Sequence, residues 1–174
     1  RRHTRYPLVT GVQTCALPIY TNLGGWALGN KVVAWILANI PAGATVVEFG
    51  SGAGSNELGK TYKIWCVEHD PIWVGKYPNV NYIFAPIVDG WYARECLKML
   101  PKDYALIIVD GPPAIIGRAG LLNVTQQLNT ECPIIVDDTH RDPEAVLATE
   151  LWHRLGKQRA LFINETDKQA TILT

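Results

Sequence analysis

Apolar and polar residues recur along the chain with two spacings, and each spacing predicts a different kind of element. Val32, Ile36 and Ile40 recur at helical spacing, so residues from about 25 to 40 are predicted to form an amphipathic helix. Short β-branched runs bounded by turn residues predict buried strands instead. These runs cover residues 44–49, 63–68, 80–84, 104–110 and 133–138. Strands and helices therefore alternate through most of the chain.

The segments that connect these strands carry helical patterns. They lie at about 55–60, from Asp70-Pro71 onward, at 91–100, at about 118–128, and from Asp142-Pro143 to Gly156. Two further apolar runs, 159–164 and 169–173, flank polar residues and predict a hairpin. This order predicts an α/β fold: a doubly wound, mostly parallel sheet closed by an antiparallel C-terminal hairpin.

A glycine-rich turn follows the first strand. Glu48 ends the apolar run, and glycines then occupy alternate positions 50, 52 and 54. Such glycines allow a tight turn and let a ligand lie against the backbone. In a dinucleotide fingerprint the third glycine would replace Ser55, whereas here it comes one residue earlier. The spacing therefore favours another nucleoside ligand over NAD.

The second strand ends in Glu68, twenty residues after Glu48. A carboxylate at this position is placed to accept hydrogen bonds from the ribose hydroxyls of a nucleoside. With the glycine-rich turn, it makes residues 46–71 resemble the class I S-adenosylmethionine-dependent methyltransferases. The resemblance implies S-adenosylmethionine as the cofactor. It implies as cofactor-binding residues Glu48, Gly50, Ser51, Gly52, Gly54, Glu68 and His69.

Three aspartates also stand where strands end. Asp110 ends the fourth strand, and Asp137 and Asp138 end the fifth. Neighbouring strands lie about 4.8 Å apart, so if these two strands are neighbours the carboxylates converge on one edge of the sheet. Their mutual repulsion then has to be compensated by a proton, an arginine or a divalent cation. In the alternative arrangement, successive residues point opposite ways and Arg141 pairs with one of the aspartates.

The aspartate layout resembles that of metal-dependent catechol O-methyltransferases and, more faintly, of polysaccharide O-methyltransferases. The first resemblance implies that Asp110, Asp137 and Asp138 bind Mg²⁺ or Mn²⁺. Two features depart from it, because no lysine follows Asp110 closely and the expected asparagine is Asp138. Asp110 and His140 are the candidate general bases. Arg118 is interpreted as a helix-start residue rather than a ligand of an anionic substrate.

Residues 1–19 match a translated short-read sequencing adapter, which predicts a metagenomic fragment whose own amino terminus is missing. We expect residues 20–174 to form a single domain. Without residues 1–19, the chain has 13 basic and 16 acidic residues, so its net charge is about −3. The sequence then shows no basic stripe of the kind that binds nucleic acid. The partner prediction is a small-molecule or carbohydrate acceptor, with no nucleic acid and no membrane. Cys66, Cys96 and Cys132 show no disulfide or zinc spacing, which favours the cytoplasm.

The predicted function is S-adenosylmethionine-dependent O-methylation of a small molecule or sugar hydroxyl, with metal assistance as an option. One alternative is a non-catalytic protein that binds S-adenosylmethionine on the same fold. The other, a nicotinamide-dependent oxidoreductase, is disfavoured by the glycine spacing and by the closing hairpin. The oligomeric state is left open.

Overall fold

A seven-stranded β-sheet forms the centre of the computed structural model, which describes residues 28–174. The described residues contain these strands: β1 Thr45–Phe49, β2 Lys63–Glu68, β3 Val80–Phe84, β4 Ile87–Val88, β5 Trp91–Tyr92, β6 Leu106–Val109, β7 Ile134–Val136, β8 Ala160–Asn164 and β9 Gln169–Leu173. The helices are α1 Asn30–Asn39, α2 Ala53–Leu58, α3 Arg94–Leu97 and α4 Asp142–Leu155, with 3₁₀ helices at Ala119–Asn123 and Thr125–Gln127. The predicted adapter segment, 1–19, lies outside the described residues.

The strand order is β3-β2-β1-β6-β7-β9-β8, and β4 pairs with β5 in a separate hairpin. The first five strands of this order are parallel, and β9 runs antiparallel between β7 and β8. The predicted doubly wound sheet with an antiparallel closing hairpin is therefore confirmed. Phe49 is in register with both Val67 and Val109, and Val109 with Val136. This register brings the carboxyl ends of β1, β2, β6 and β7 to one edge of the sheet.

Apolar side chains fill both faces of the sheet. On one face, α1 and α2 pack through residues such as Val32, Ile36 and Leu58 against the strands. On the other, α4 and the 3₁₀ segment pack through Leu121, Leu147 and others. Because β1 and β6 are covered on both faces, β6 is apolar throughout rather than alternating, and β1 is apolar except at Thr45 and Glu48. Among the described residues, no helix has the length and apolarity that crossing a bilayer requires.

The predicted helix at 91–100 is wrong over its first part. Asp89 and Gly90 both have positive φ angles, 52° and 77°, and form a tight turn between β4 and β5. Asp-Gly is a preferred pair for such two-residue hairpin turns. Trp91 then packs beside Gly120, where an added Cβ would lie 2.5 Å from the Cβ of Trp91. Only Arg94–Leu97 remains helical.

Two other predicted helices do not form as α-helices: the one from Asp70 is only a turn, and the one at 118–128 is 3₁₀. Asp70 does cap a turn, since its Oδ1 accepts the backbone N–H of Ile72 at 2.9 Å. The chain nevertheless leaves the helical path at Gly75, which has a φ of +76°. The predicted helix at 118–128 consists of two 3₁₀ segments, in line with its Gly, Asn and Thr residues of low helix propensity. By contrast, α4 ends at Gly156 as predicted, in a left-handed conformation.

Candidate active site

A cleft at the carboxyl edge of the sheet brings together most of the predicted site residues. The predicted residues that line it are Gly50, Ser51, Glu68, His69, Asp110 and Asp138. We call Gly50, Ser51, Glu68 and His69 the glycine-loop half of the cleft. We call Asp110, Asp137, Asp138 and Arg118 the acidic half. Ligands of open α/β sheets bind at this edge.

The two halves meet where the loop after β1 touches the loop after β6. Gly50 has a φ of +91°, and a Cβ added there would lie 2.8 Å from the backbone nitrogen of Gly111. A Cβ on Gly111 would lie 2.8 Å from the Cα of Gly50 and 2.6 Å from the Tyr92 hydroxyl. No side chain fits between the loops, which explains why glycine follows both strands.

Three predicted cofactor residues do not line the cleft. Gly52 is the N-cap residue of α2, and its N–H donates to the Ser55 hydroxyl at 3.0 Å. Gly54 is buried inside α2, beside Leu28. Glu48 is only 2% exposed, beneath the glycine-rich turn. These residues belong to the glycine-rich turn and its surroundings but do not face the cleft. Their contact with a cofactor remains a prediction.

Glu68 fixes the loops of the glycine-loop half through its carboxylate. Its Oε2 accepts the N–H of Ser51 at 2.8 Å, and its Oε1 accepts the N–H groups of His69 at 2.6 Å and Asp70 at 2.8 Å. Nδ1 of His69 lies 2.8 Å from the same Oε1. A carboxylate offers about four acceptor sites, so one site on Oε2 remains for a ligand. The predicted contact of Glu68 with the ribose of a cofactor remains a prediction.

Burial shifts the pKa of Glu48 strongly. Desolvation raises this pKa to about 8, with a hydrogen bond from Ser55 opposing the shift and the charge of Glu68 adding to it. Oε2 of Glu48 has no hydrogen-bond partner within residues 28–174. Glu48 is therefore mostly neutral below about pH 8.

The three predicted aspartates converge. One carboxylate oxygen of each of Asp110, Asp137 and Asp138 lies within 4.8 Å of the others. The cause is the predicted one, because β6 and β7 are parallel neighbours that end together. Asp138 reaches the cleft through a left-handed backbone, with a φ of +60°, which aspartate tolerates better than most residues.

A buried arginine compensates two of these carboxylates. Nη2 of Arg118 lies 3.3 Å from Oδ1 of Asp110 and 2.9 Å from Oδ2 of Asp138. Arg141 donates to the same oxygen of Asp138, so the alternative pairing considered for that arginine is present. The interpretation of Arg118 as a plain helix-start residue is wrong, since its side chain is only 3% exposed and bridges two strand ends.

Burial and like-charge repulsion raise the pKa values of two of the three aspartates. Burial and the charge of Asp137 raise the pKa of Asp110 well above its usual range. Burial and the charge of Asp138 likewise raise the pKa of Asp137. Asp110 accepts from Arg118, whereas Oδ2 of Asp137 has no partner among residues 28–174. The positive charge of Arg118 opposes the shift at both carboxyls.

A divalent cation does not fit this arrangement while Arg118 is in place. The guanidinium group donates to two of the three carboxylates that would bind the ion, and its positive charge repels a second cation at that distance. The Mg²⁺ or Mn²⁺ site remains a prediction that these contacts weigh against.

His140 is exposed and does not line the cleft. It follows the two aspartates in the sequence but is not among the residues that line the site they form. Its predicted role as a base therefore lacks geometric support, and Asp110 is the better candidate.

Sequence reasoning missed three cleft residues. Tyr92, buried at 1% exposure, was assigned to a helix, although Asp89-Gly90 is a hairpin signal that could have placed it. Trp73 also lines the cleft, and Nζ of Lys76 lies 3.5 Å from the centroid of the Trp73 ring. Lys168 reaches the cleft from the turn between β8 and β9. Neither of the last two carries a local sequence signal.

No protein-family model matches this sequence. A comparison with curated proteins finds no match either. Solved structures do match. An rRNA methylase from Streptococcus thermophilus is 11% identical, with a TM-score of 0.58 over 83% of this chain and 93% of that chain.

Two further solved structures have similar scores. A tRNA methyltransferase from B. subtilis is 15% identical, with a TM-score of 0.53 over 82% of this chain and 64% of that chain. Fibrillarin from Aeropyrum pernix, solved with bound S-adenosylmethionine, is 13% identical, with a TM-score of 0.53 over 83% of this chain and 74% of that chain. At these identities the likeness establishes the fold. The chain has the class I methyltransferase fold.

The prediction that nucleic acid is excluded as a partner is wrong. It rested on a net charge of about −3 and on the lack of a basic stripe. Proteins with this fold include an rRNA methylase and a tRNA methyltransferase. Net charge describes the whole surface rather than one site. The cleft itself is lined by three basic side chains: Arg118, Arg141 and Lys168.

Proposed function

We propose that this chain is an S-adenosylmethionine-dependent methyltransferase that methylates a hydroxyl oxygen. The observation that carries the proposal is a single cleft that joins a nucleoside-type half to an acid–base half. Gly50, Ser51 and Glu68 lie on one side, and Asp110 and Arg118 lie on the other.

The glycine-loop half suits the cofactor. Glu68 keeps one free acceptor site beside the exposed backbone of Gly50 and Ser51, as a ribose requires. Trp73 and His69 add ring surfaces next to this carboxylate. The bound cofactor supplies an electrophilic methyl group on a sulfonium, so the protein has to align the acceptor and remove its proton.

The acidic half suits proton removal. Asp110 faces the cleft, and burial raises its pKa, which makes its carboxylate a stronger base than an exposed aspartate. The acceptor hydroxyl would donate to this carboxylate, and Asp110 would take the proton as the oxygen attacks the methyl carbon. The methyl–sulfur bond would break in the same step, and its electron pair would leave with sulfur as a neutral thioether. Arg118 and Arg141 stabilise the surrounding charge, so this assignment needs no metal.

The acceptor we propose is a small molecule or sugar, because carboxylates and guanidinium groups together bind neutral hydroxyls well. RNA carries the same chemical group in its ribose 2′-hydroxyl. The related folds of RNA methyltransferases therefore make RNA the second acceptor class to test.

Transfer of a labelled methyl group tests the proposal. The full chain would be incubated with methyl-labelled S-adenosylmethionine and with phenols, sugars or RNA, with and without a chelator. Asp110→Asn should lower the turnover by about 10²–10⁴-fold if Asp110 is the base. Asp103→Asn is the matched control, because Asp103 is exposed and does not line the cleft.

Three outcomes would revise the proposal. Binding of S-adenosylmethionine without transfer to any acceptor would favour the non-catalytic alternative. Tighter binding of NAD than of S-adenosylmethionine would overturn the cofactor assignment. Turnover lost on chelation and restored by Mg²⁺ or Mn²⁺ would favour the metal site over the arginine arrangement.

A further inference from the structure

Arg118 occupies the centre of the acidic half, where the aspartate pattern predicts a divalent cation. All three guanidinium nitrogens are engaged. Nη1 donates to the carbonyl oxygens of Val109 at 3.2 Å and Asp137 at 2.8 Å. Nε donates to the carbonyl of Pro112 at 3.4 Å, and Nη2 to the carbonyl of Asp110 at 2.8 Å. These contacts fix the cation between the ends of β6 and β7.

The same guanidinium also reaches the carboxylates. Nη2 donates to Oδ1 of Asp110 and to Oδ2 of Asp138, the side chains that line the cleft. A planar guanidinium is well suited to bridge two carboxylates, and it keeps its charge when buried. Arg118 thereby does what a metal ion does in an all-oxygen site: it binds several carboxylates and fixes their orientation.

We propose that Arg118 replaces the divalent cation of this site and is a positioning residue for Asp110. The replacement itself is independent of the activity, whereas the positioning role rests on the proposed function. Removal of the Arg118 guanidinium would leave three carboxylates within 4.8 Å of one another, with only the partly exposed Arg141 still paired to Asp138. An all-oxygen cluster of this kind is suited to Mn²⁺. The wild-type protein should therefore not bind Mn²⁺ at this site, and loss of the Arg118 charge should create a Mn²⁺-binding site.

The experiment uses Mn²⁺ alone as the probe, on the full chain. Calorimetry and electron paramagnetic resonance would measure binding to the wild type, Arg118→Gln and Arg118→Lys. We expect Arg118→Gln to bind Mn²⁺ at least tenfold more tightly than the wild type and to melt at a higher temperature when Mn²⁺ is added. Arg118→Lys keeps a charge at the site and should still exclude the ion.

Arg154→Gln is the matched control. Arg154 forms an ion pair with Glu150 at 3.0 Å on the surface, where both side chains are about half exposed. Its loss should leave Mn²⁺ binding at the wild-type level. A triple change, Arg118→Gln with Asp110→Asn and Asp138→Asn, should abolish the binding gained by Arg118→Gln, which would locate the ion at this site.

Two results would overturn the inference. One is Mn²⁺ binding by the wild type that Asp110→Asn removes. The other is a folded Arg118→Gln protein that binds Mn²⁺ no better than the wild type. If Arg118→Gln fails to fold, the wild type and Arg118→Lys still decide, because Mn²⁺ binding by both would contradict the replacement. S-adenosylmethionine binding, measured on the same samples, tests the proposed function separately.

Discussion

The two halves of the cleft stabilise buried carboxylates in different ways. In the glycine-loop half, Glu68 accepts backbone N–H groups from Ser51, His69 and Asp70, two of which belong to its own loop. In the acidic half, Asp110 and Asp138 depend on the side chain of Arg118, which lies 8 and 20 residues away along the chain. The glycine-loop half is held by backbone donors, and the acidic half by arginine side chains, of which only Arg118 is buried.

This difference predicts different sensitivities to mutation. Backbone donors survive substitution of the residues that carry them, so the glycine-loop half is robust except at Glu68 itself. A single buried cation has no substitute, and its loss leaves charges uncompensated in a low-dielectric site. Stability should therefore respond most strongly in the acidic half, and cofactor affinity in the glycine-loop half.

The largest expected effect is that of Arg118→Met on stability. Breaking a buried ion pair by removing one partner costs about 3–5 kcal/mol in free energy of unfolding. Urea unfolding would measure the loss. Arg154→Met, in an exposed pair, should cost only about 0–1 kcal/mol. Equal losses in the two variants would contradict the view that Arg118 holds the acidic half together.

The next effect concerns the pH dependence of stability at Glu48. Its folded pKa of about 8 exceeds the ordinary value of 4.5, so the folded state binds a proton that the unfolded state has released. This contribution to stability is present in full below about pH 4.5 and is lost as the pH rises through about 8.

Glu48→Gln mimics the protonated carboxyl at every pH. Relative to the wild type, the variant should gain stability between pH 5 and pH 8, by on the order of 2 kcal/mol or more. Urea unfolding at three pH values would measure this gain. Glu57→Gln, on the surface of α2 beside Lys60, is the control and should show no such trend. Parallel curves for Glu48→Gln and wild type would contradict the raised pKa.

Glu68→Ala should weaken S-adenosylmethionine binding at least tenfold. It removes a charge-assisted hydrogen bond to the ligand, of about 1.5–3 kcal/mol, and also releases the Ser51 loop. Calorimetry would measure the affinity. Asp110→Asn, in the other half, should change it by less than about twofold, because Asp110 makes none of the hydrogen bonds that hold the Ser51 loop. A larger loss for Asp110→Asn than for Glu68→Ala would reverse the assignment of the two halves.

The smallest effect distinguishes two buried tyrosines. The Tyr104 hydroxyl accepts the N–H of Asn129 at 2.6 Å, so Tyr104→Phe should cost about 1 kcal/mol. The Tyr92 hydroxyl, between the two halves, has no partner among residues 28–174. Tyr92→Phe should therefore leave the stability unchanged or raise it slightly. A loss in Tyr92→Phe as large as that in Tyr104→Phe would show that its hydroxyl is bonded.

The predictable part of the site lies at strand ends. An apolar run that ends in an acid, as at Glu68 and Asp110, places that acid at the carboxyl edge of a parallel sheet wherever the strand pairs. The convergence of Asp110 with Asp137 followed from the same rule and is confirmed.

The missed part lies in the connections. The pattern of residues 91–100 predicts a helix that includes Tyr92, whereas the Asp89-Gly90 pair just before it is a hairpin turn signal and the hairpin is what forms. Arg118 is different, since no local pattern distinguishes a buried arginine from an exposed one. Its contacts come from the ends of two strands and from the loop at Pro112.

The sequence by itself determined the fold class, the glycine-rich turn and the placement of the acids at strand ends. Hydrophobic periodicity and glycine spacing are local properties of the chain, so they can be read without the structure. Only the tertiary structure decided how the acids are neutralised. Whether a proton, an arginine or a metal ion compensates a carboxylate depends on which side chains from distant segments are buried beside it. In this protein that side chain is Arg118, which β6 and β7 hold between their ends.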